Sequence, residues 1–440
     1  MAFSLNGIHL PHRKNTADTP AFKMEKVSKV TMPMGMHIGA PANPIVKVGE
    51  VVKKGTLIGE QNGFVSSPVY SSISGTVKEI SEKLQSDGKK VPCVVIEADG
   101  ENIIDESIMP PVVNNREELI EAVKKSGIVG LGGAGFPTFV KLSAEPEKIE
   151  ELIINGAECE PYITSDSLTM TERAEDMAYA LNAFKKHMGI KKIIIGIENN
   201  KKKAIASMKQ MVKNIEGAQV KVLSSVYPQG GEKVLVYHLT GKVIPVGKLP
   251  LDVGCIVINC TTLAVIGEYL KTGMPLTEKC ITVDGSAVNE PKNVIAPIGV
   301  SMADVFEFAG GFKEEPKKVI YGGPMMGISV TDMDAPILKN TNAILAFNEK
   351  DAKAPKETAC IRCGACYNNC PFGISPVGIE KAYKTADTVG IKEAGAEACM
   401  ECGCCSFVCP AHRPLVQTNK LAKAMLKEAR SEEKAKEDNK

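Results

Sequence analysis

The sequence predicts a multidomain chain of α/β and α+β units, and three observations carry that prediction. Its 440 residues amount to roughly three domains at about 150 residues each, with room for a fourth. Between about Asn115 and Gly273, apolar β-type runs alternate with helical stretches, the pattern of a parallel sheet covered by helices. Nine of the 14 cysteines crowd between Cys360 and Cys409, where an even spread would put about one or two.

Composition excludes several classes. With 44% hydrophobic and 24% charged residues, the chain is not a largely disordered one. Lys+Arg 53 against Asp+Glu 52 leaves a net charge of +1, without the basic excess of a nucleic-acid binder. The Lys201-Lys202-Lys203 run reads as a solvated helix start. The most apolar stretch, Gly254 to Gly267, is too short to span a bilayer and is interrupted by Asn259, Thr261 and Thr262. Residues 1–14 lack the apolar core of a secretion signal, so a cytoplasmic chain is expected, with peripheral attachment to a membrane partner open. In a reducing compartment, a cysteine cluster points to metal ligation or redox chemistry rather than disulfides.

Taken in order, residues 1–28 read as an extended arm with little periodicity. Residues 29–100 hold short β-rich runs between Gly and Pro, such as 44–49, 69–77 and 92–96, which argue for a small sandwich or barrel. The phrases "VKVGEVVKKGTLIGE" and "VYSSISGTVKEI" resemble the two halves of a lipoyl-type barrel-sandwich hybrid. Its connecting tip, Gln61 to Pro68, has no lysine for a carried group, so a docking or scaffold role is expected. In residues 112–275, helices are expected at 117–125, 167–188 and 203–215. Strands are expected at 152–154, 192–196, 220–226 and 255–258. Residues 277–333 read as a compact mixed unit with a strand at 281–283 and a helix at 303–308. A linker rich in Asp, Lys and Pro follows, then a cysteine domain over 350–426 and a charged tail over 427–440, frayed or disordered.

The cysteine spacing is the strongest single signal. Cys360-x-x-Cys363-x-x-Cys366-x-x-x-Cys370-Pro371 recurs as Cys399-x-x-Cys402-x-x-Cys405-x-x-x-Cys409-Pro410. In the doubled bacterial ferredoxin signature, three thiolates of one run hold a cluster and the fourth reaches across to the other. Cys360, Cys363, Cys366 and Cys409 are thereby assigned to one 4Fe-4S cluster, and Cys399, Cys402, Cys405 and Cys370 to a second. Structural zinc sites would use two CxxC pairs and leave Cys370 and Cys409 unexplained. Cys404 reads as packing rather than a ligand, and Cys93, Cys159, Cys255, Cys260 and Cys280 as buried structural thiols. Two clusters crossed in this way pass single electrons between them.

Residues 130–138 contain a G-x-G-x-x-G pattern, but a helix precedes it rather than the strand that a Rossmann first turn requires. Pro137 suits a first helical position, so the loop is expected to lead into a helix N-terminus that favours anions. Asn155, Glu158 and Glu160 follow the strand at 152–154, where ligands of parallel sheets bind. No acid/base triad or activated nucleophile stands out.

The segments "GLGGAGFPTFVK", "NGAECEP", "YPQGGEK" and "INCTTLA", in this order, resemble the FMN- and NADH-binding motifs of the flavoprotein subunit of respiratory complex I. With the barrel-sandwich in front and the doubled ferredoxin motif behind, the chain more closely resembles the RnfC family of Rnf ion-translocating ferredoxin:NAD oxidoreductase complexes. The resemblance implies a Rossmann-like flavin domain, a β-grasp module over 280–327 and a helical bis-4Fe-4S domain. It implies FMN lined by Gly130, Gly132, Gly133 and Gly135, with Lys141 near its phosphate and Asn155, Tyr227, Gly230 and Asn259 completing the pocket. It further places Phe136 at the nicotinamide, and Glu158, Glu160 and Glu232 beside NAD(H), with Glu160 and Phe136 in the catalytic role. Three positions depart from the complex I pattern: Leu131 for an Arg, Ala157 for an Asp and Gly231 for a Glu. The implied partners are a ferredoxin-oxidising iron–sulfur subunit and integral membrane subunits, at the cytoplasmic side of the bacterial membrane. The rival readings are an NADH-dependent cobalamin reductase of the propanediol-utilisation type, and a relay that has lost its flavin.

Overall fold

A computed structural model describes residues 5–86 and 88–438. The first four residues of the expected arm and the last two of the charged tail lie outside the described residues.

The N-terminal unit is built from two antiparallel sheets. One runs Lys29–Pro33, Lys90–Ala98, Gly75–Leu84, Val51–Val52, and the other Asn43–Pro44, Leu57–Glu60, Val69–Tyr70. Val30, Met32, Ile58, Val69, Val77, Val94 and Ile96 fill the space between them. The β-run expected over 69–77 is broken at residues 71–74, where buried serines take turn and tertiary bonds: Ser72 Oγ donates to Ile298 O at 2.6 Å and Ser74 Oγ to Asp99 Oδ1 at 2.6 Å. Gly75 resumes the sheet at φ +159°, and a Cβ there would lie 2.0 Å from Glu97 O, which only glycine avoids.

In the next unit four parallel strands stand in the order Ala218–Leu223, Ile193–Glu198, Glu151–Gly156, Cys255–Asn259. The chain enters at Glu151–Gly156, winds outward through two strands, then returns to the other side. The switch point therefore lies between Glu151–Gly156 and Cys255–Asn259, and ligands bind at the carboxyl ends of such strands. The helix expected over 167–188 is two, Ser165–Glu172 and Ala174–Met188. They part at Arg173, whose guanidinium reaches Asp176 at 2.9 Å and Glu268 at 2.7 Å. Lys201 is not solvated: it is 7% exposed and paired with buried Glu198 at 2.8 Å, while Lys202 and Lys203 are exposed.

The β-grasp sheet is wider than the sequence pattern suggests. Its six strands run Ala21–Lys23, Lys292–Pro297, Glu278–Asp284, Ala343–Phe347, Lys318–Tyr321, Ile328–Val330. The arm thus supplies an edge strand, parallel to Lys292–Pro297. The segment that reads as a linker supplies Ala343–Phe347, all five residues of which are buried. One continuous hydrophobic core joins these three units, from Met32 through Phe184 to Val294. The cysteine domain has its own small core of Ile374, Ile379, Ile391, Ala422 and Leu426. The helix Leu415–Asp438 carries straight through Lys427 into the charged tail.

Candidate functional site

Two asparagines mark the crevice. Asn155 and Asn259 are register partners at the carboxyl ends of the two strands that flank the switch point. Asn155 Nδ2 donates to Gly230 O at 2.9 Å, tying its strand to the 227–233 loop. Asn259 caps the helix Cys260–Thr272: its Oδ1 accepts from the amides of Thr261 and Thr262. Its Nδ2 donates to Asp166 Oδ2 at 2.7 Å, and Thr261 Oγ1 donates to Asp166 Oδ1 at 2.6 Å. Sequence reasoning missed Asp166, because an aspartate in a helix's first turn is ordinary.

The glycine-rich loop lies over this crevice and is held from three sides. Leu131 N donates to Thr262 Oγ1 at 2.9 Å, and buried Lys279 donates to Leu131 O at 3.1 Å. Asn340 Nδ2 donates to Gly133 O at 2.9 Å, and Ile38 N to Gly135 O at 3.0 Å. Gly130 N closes the loop on Phe136 O, while Gly132, Gly133 and Ala134 remain exposed and Phe136 is half-buried. Pro137 precedes the helix rather than opening it. It is extended (ψ 121°) and bridges Val129, and the helix Thr138–Leu142 that follows has five residues, so its dipole is small. A Cβ on Gly132 would lie 2.3 Å from Asn259 Nδ2. Gly132→Ala is therefore expected to push Asn259 off Asp166 and cost about 1–3 kcal/mol, which urea unfolding measures.

The remaining residues singled out in the sequence fall into pairs. Lys141 Nζ lies 3.0 Å from Glu232 Oε1 and donates to Val257 O at 3.1 Å. Gly230 sits so close to Ala157 that a Cβ would lie 2.3 Å from Ala157 O. The Tyr227 hydroxyl donates to Cys402 O at 2.6 Å, out of the α/β domain and into the cysteine domain. Glu160 also reaches out of the α/β domain, but toward the β-grasp unit: its carboxylate accepts from the amides of Met325 and Met326, at 3.1 and 2.8 Å. Burial pushes the Glu160 carboxyl up to about 7, against the pull of those two amides. Glu158 is 6% exposed; its Oε1 accepts from Asp166 N at 2.7 Å and its Oε2 receives no hydrogen bond. Burial raises its pKa too, opposed by the Lys14 ammonium 4.0 Å away.

Lys14 is the arm's contribution, invisible in the pattern. Its ammonium donates to three carbonyls of one loop: Glu158 at 3.0 Å, Glu160 at 2.8 Å, and Ile163. Lys339 is a second such clamp. Fully buried, it donates to Ser67 Oγ, Pro68 O and Gly127 O, joining the barrel-sandwich tip to the α/β domain, and burial lowers its pKa to about 7. At that tip Phe64 stands edge-on against Phe139, with ring centroids 5.8 Å apart.

The eight cysteines line two separate pockets. Cys370, Cys399, Cys402 and Cys405 share the inner one, which Cys404 also lines, and Cys360, Cys363, Cys366 and Cys409 share the outer one. Among the described residues no three His, Cys, Asp or Glu side chains converge as tightly as one bound ion requires. The inner pocket faces the α/β domain, where Ile8, Tyr227, Cys402 and Cys404 form a buried cluster flanked by Met325 and Met400. Cys404 is 1% exposed in that cluster. The outer pocket opens to solvent at Cys360 and Cys363.

Family models match along the whole arrangement. The RnfC barrel sandwich hybrid domain covers residues 3–101, the Nuo51 FMN-binding domain 123–268, the SLBB domain 280–329 and a 4Fe-4S dicluster domain 354–410. Fold and site therefore define an electron-transfer flavoprotein with two iron–sulfur clusters, built on the FMN domain of the complex I type. The chain is 43% identical over 380 residues, 85% of each chain, to the RnfC-type component of the Na(+)-translocating ferredoxin:NAD(+) oxidoreductase complex of Acetobacterium woodii. It is 42% identical to the corresponding component of the proton-translocating ferredoxin:NAD(+) oxidoreductase complex of Clostridium ljungdahlii, covering 83% of this chain and 80% of that one. It is 36% identical to that of the ion-translocating oxidoreductase complex of Rhodobacter capsulatus, covering 98% and 84%. The chain belongs to the RnfC family. The fold is also that of a chain of an NAD+-reducing NiFe hydrogenase, with TM-score 0.50 at 18% identity, over 71% of this chain and 63% of that one.

Proposed function

We propose that this chain is the NAD(H)-interacting flavo-iron–sulfur subunit of a membrane-bound ferredoxin:NAD oxidoreductase that couples electron transfer to ion translocation. FMN supplies the exchange between the hydride of NADH and single electrons, which the two 4Fe-4S clusters carry. The observation that carries this reading is the seam at Tyr227: one residue of the flavin motifs is hydrogen-bonded to the backbone of a cluster motif.

The residues present fit a flavin. The exposed backbone of Gly132 to Ala134 lies over the switch-point crevice, and the buried Glu158 Oε2 receives no hydrogen bond, only the Lys14 ammonium 4.0 Å away. In this reading Gly130, Gly132, Gly133, Gly135, Asn155, Tyr227, Gly230 and Asn259 hold FMN, with Lys141 toward its phosphate. Phe136, Glu158, Glu160 and Glu232 border NAD(H). The eight cysteines hold the clusters in the two sets that share pockets. The departures from the complex I pattern serve packing: Leu131 is fully buried, Ala157 is 9% exposed, and a Cβ on Gly231 would lie 2.3 Å from Met400 Cε. Substitutions that packing explains support retained flavin over a flavin-less relay. Among the described residues no helix is long and apolar enough to cross a membrane; in this reading the subunit sits peripherally at the cytoplasmic face, held by its partners.

The test is an anaerobic absorption and EPR titration of the purified chain with NADH. About eight irons from two cubes, one FMN, flavin bleaching and reduced-cluster signals are expected. Full iron without flavin or any response to NADH, even after FMN is added, overturns the reading.

A further inference from the structure

The helix Leu415–Asp438 opens beside the inner cysteine pocket and brings to it an asparagine whose bonding the fold leaves half unmet. Asn419 is 1% exposed. Its Nδ2 lies 3.5 Å from Cys399 Sγ, and its Oδ1 is buried without a hydrogen-bond partner. A buried amide with an empty acceptor costs stability that an apolar side chain of the same shape would not, so packing does not account for an asparagine here. A thiolate accepts and cannot donate, as is true of the amide oxygen, so it is the amide nitrogen that turns toward the sulfur.

Among the described residues the outer pocket shows no buried side-chain amide at a cysteine sulfur, and its Arg362 and Tyr367 are exposed. Of its polar lining residues, Ser375 caps the helix Pro376–Lys384 and Arg413 is bound to Glu380. The sulfur of Cys360 receives only a backbone amide, that of Arg362, at 3.4 Å.

We propose that Asn419 donates a hydrogen bond to a thiolate ligand of the inner cluster and thereby raises the reduction potential of that cluster relative to the outer one. The inference rests on the assignment of Cys370, Cys399, Cys402 and Cys405 to one cluster. Its logic is electrostatic. Reduction adds negative charge to the cluster, so a donor at sulfur stabilises the reduced form more than the oxidised one. Burial among Ile374, Val416 and the cysteines works in the opposite direction by disfavouring added charge.

The experiment is an EPR-monitored redox titration of the full, iron-loaded chain, with Asn419→Leu and Asn419→Asp beside the parent. Leu keeps the shape without the donor, and Asp keeps the shape while adding charge. In Asn419→Leu the inner cluster is expected to become harder to reduce, shifting the electron equilibrium between the clusters about tenfold, or about 59 mV for a one-electron couple. Asn419→Asp shifts it further in the same direction, and the outer cluster stays where it was. Unchanged potentials in variants with full iron overturn the proposal. If a variant does not load iron, pulsed EPR on the reduced parent chain with asparagine side chains labelled with 15N decides. A 15N coupling at the inner cluster supports the bond, and its absence overturns it. Failure of the ligand assignment itself shows separately, as loss of the wrong cluster in Cys370→Ala.

Discussion

Cys370→Ala is expected to remove the inner cluster, about four irons of a total of about eight, and to leave the outer one intact. The residue belongs by sequence to the first motif, so a reading by proximity along the chain predicts the opposite loss. Its side chain is 8% exposed and shares a pocket with Cys399, Cys402 and Cys405, whereas Cys409 of the second motif stands with Cys360, Cys363 and Cys366. Alanine is preferred to serine because a serine oxygen can take a ligand position. The companion Cys404→Ser is expected to keep all the irons, since that thiol packs against Ile8 and Tyr227. Iron analysis with EPR of the reduced chain reads both. Loss of the signal of the solvent-exposed cluster in Cys370→Ala means that the crossing is wrong.

Which thiols hold which cluster is what Cys370→Ala tests, but the two cysteine runs were legible in the sequence because their spacing is a local pattern. The same holds for the strands of the parallel sheet, whose apolar runs are bounded by their own turns, and for Asn155 and Asn259, which end two of them. What stayed hidden depends on partners far away along the chain. Lys14 finds its carbonyl acceptors 144 to 149 residues on, and Lys339 reaches back 271 residues to Pro68. Neither leaves a periodic trace. Ala343–Phe347 escaped because polar and proline neighbours made its surroundings resemble a linker, although its pairing partners lie on both sides of it in the sheet. The polarity of a motif residue also says nothing about which neighbour claims it. Lys141 and Glu232 are claimed by each other, and Glu160 by two amides 165 and 166 residues away. Lys201 looked solvated because two lysines follow it, yet only those two point outward.

Lys14→Met is expected to destabilise the chain by about 3–5 kcal/mol, the usual cost of breaking a buried charge pair from one side. The loss has two parts. Carbonyls of Glu158, Glu160 and Ile163 that converge on the ammonium lose their donor, and Glu158 keeps its carboxyl buried without the opposing charge. These parts separate by pH. Burial raises the folded-state pKa of Glu158 above its ordinary value, so the folded chain holds a proton there that the unfolded chain has already released. Such a group withdraws stability as pH rises through the window from the ordinary carboxylate value to the folded one. Removing Lys14 raises the folded value further and extends that window upward. The deficit of Lys14→Met against the parent is therefore smaller near pH 5, where the carboxyl is protonated in both folded chains and only the carbonyl bonds are missing. It grows toward pH 8. Urea unfolding of both chains at the two pH values measures it. Equal deficits at both ends would show that the ammonium serves the carbonyls alone, and no deficit at either would show that the arm does not clamp the loop on which Glu158 and Glu160 stand.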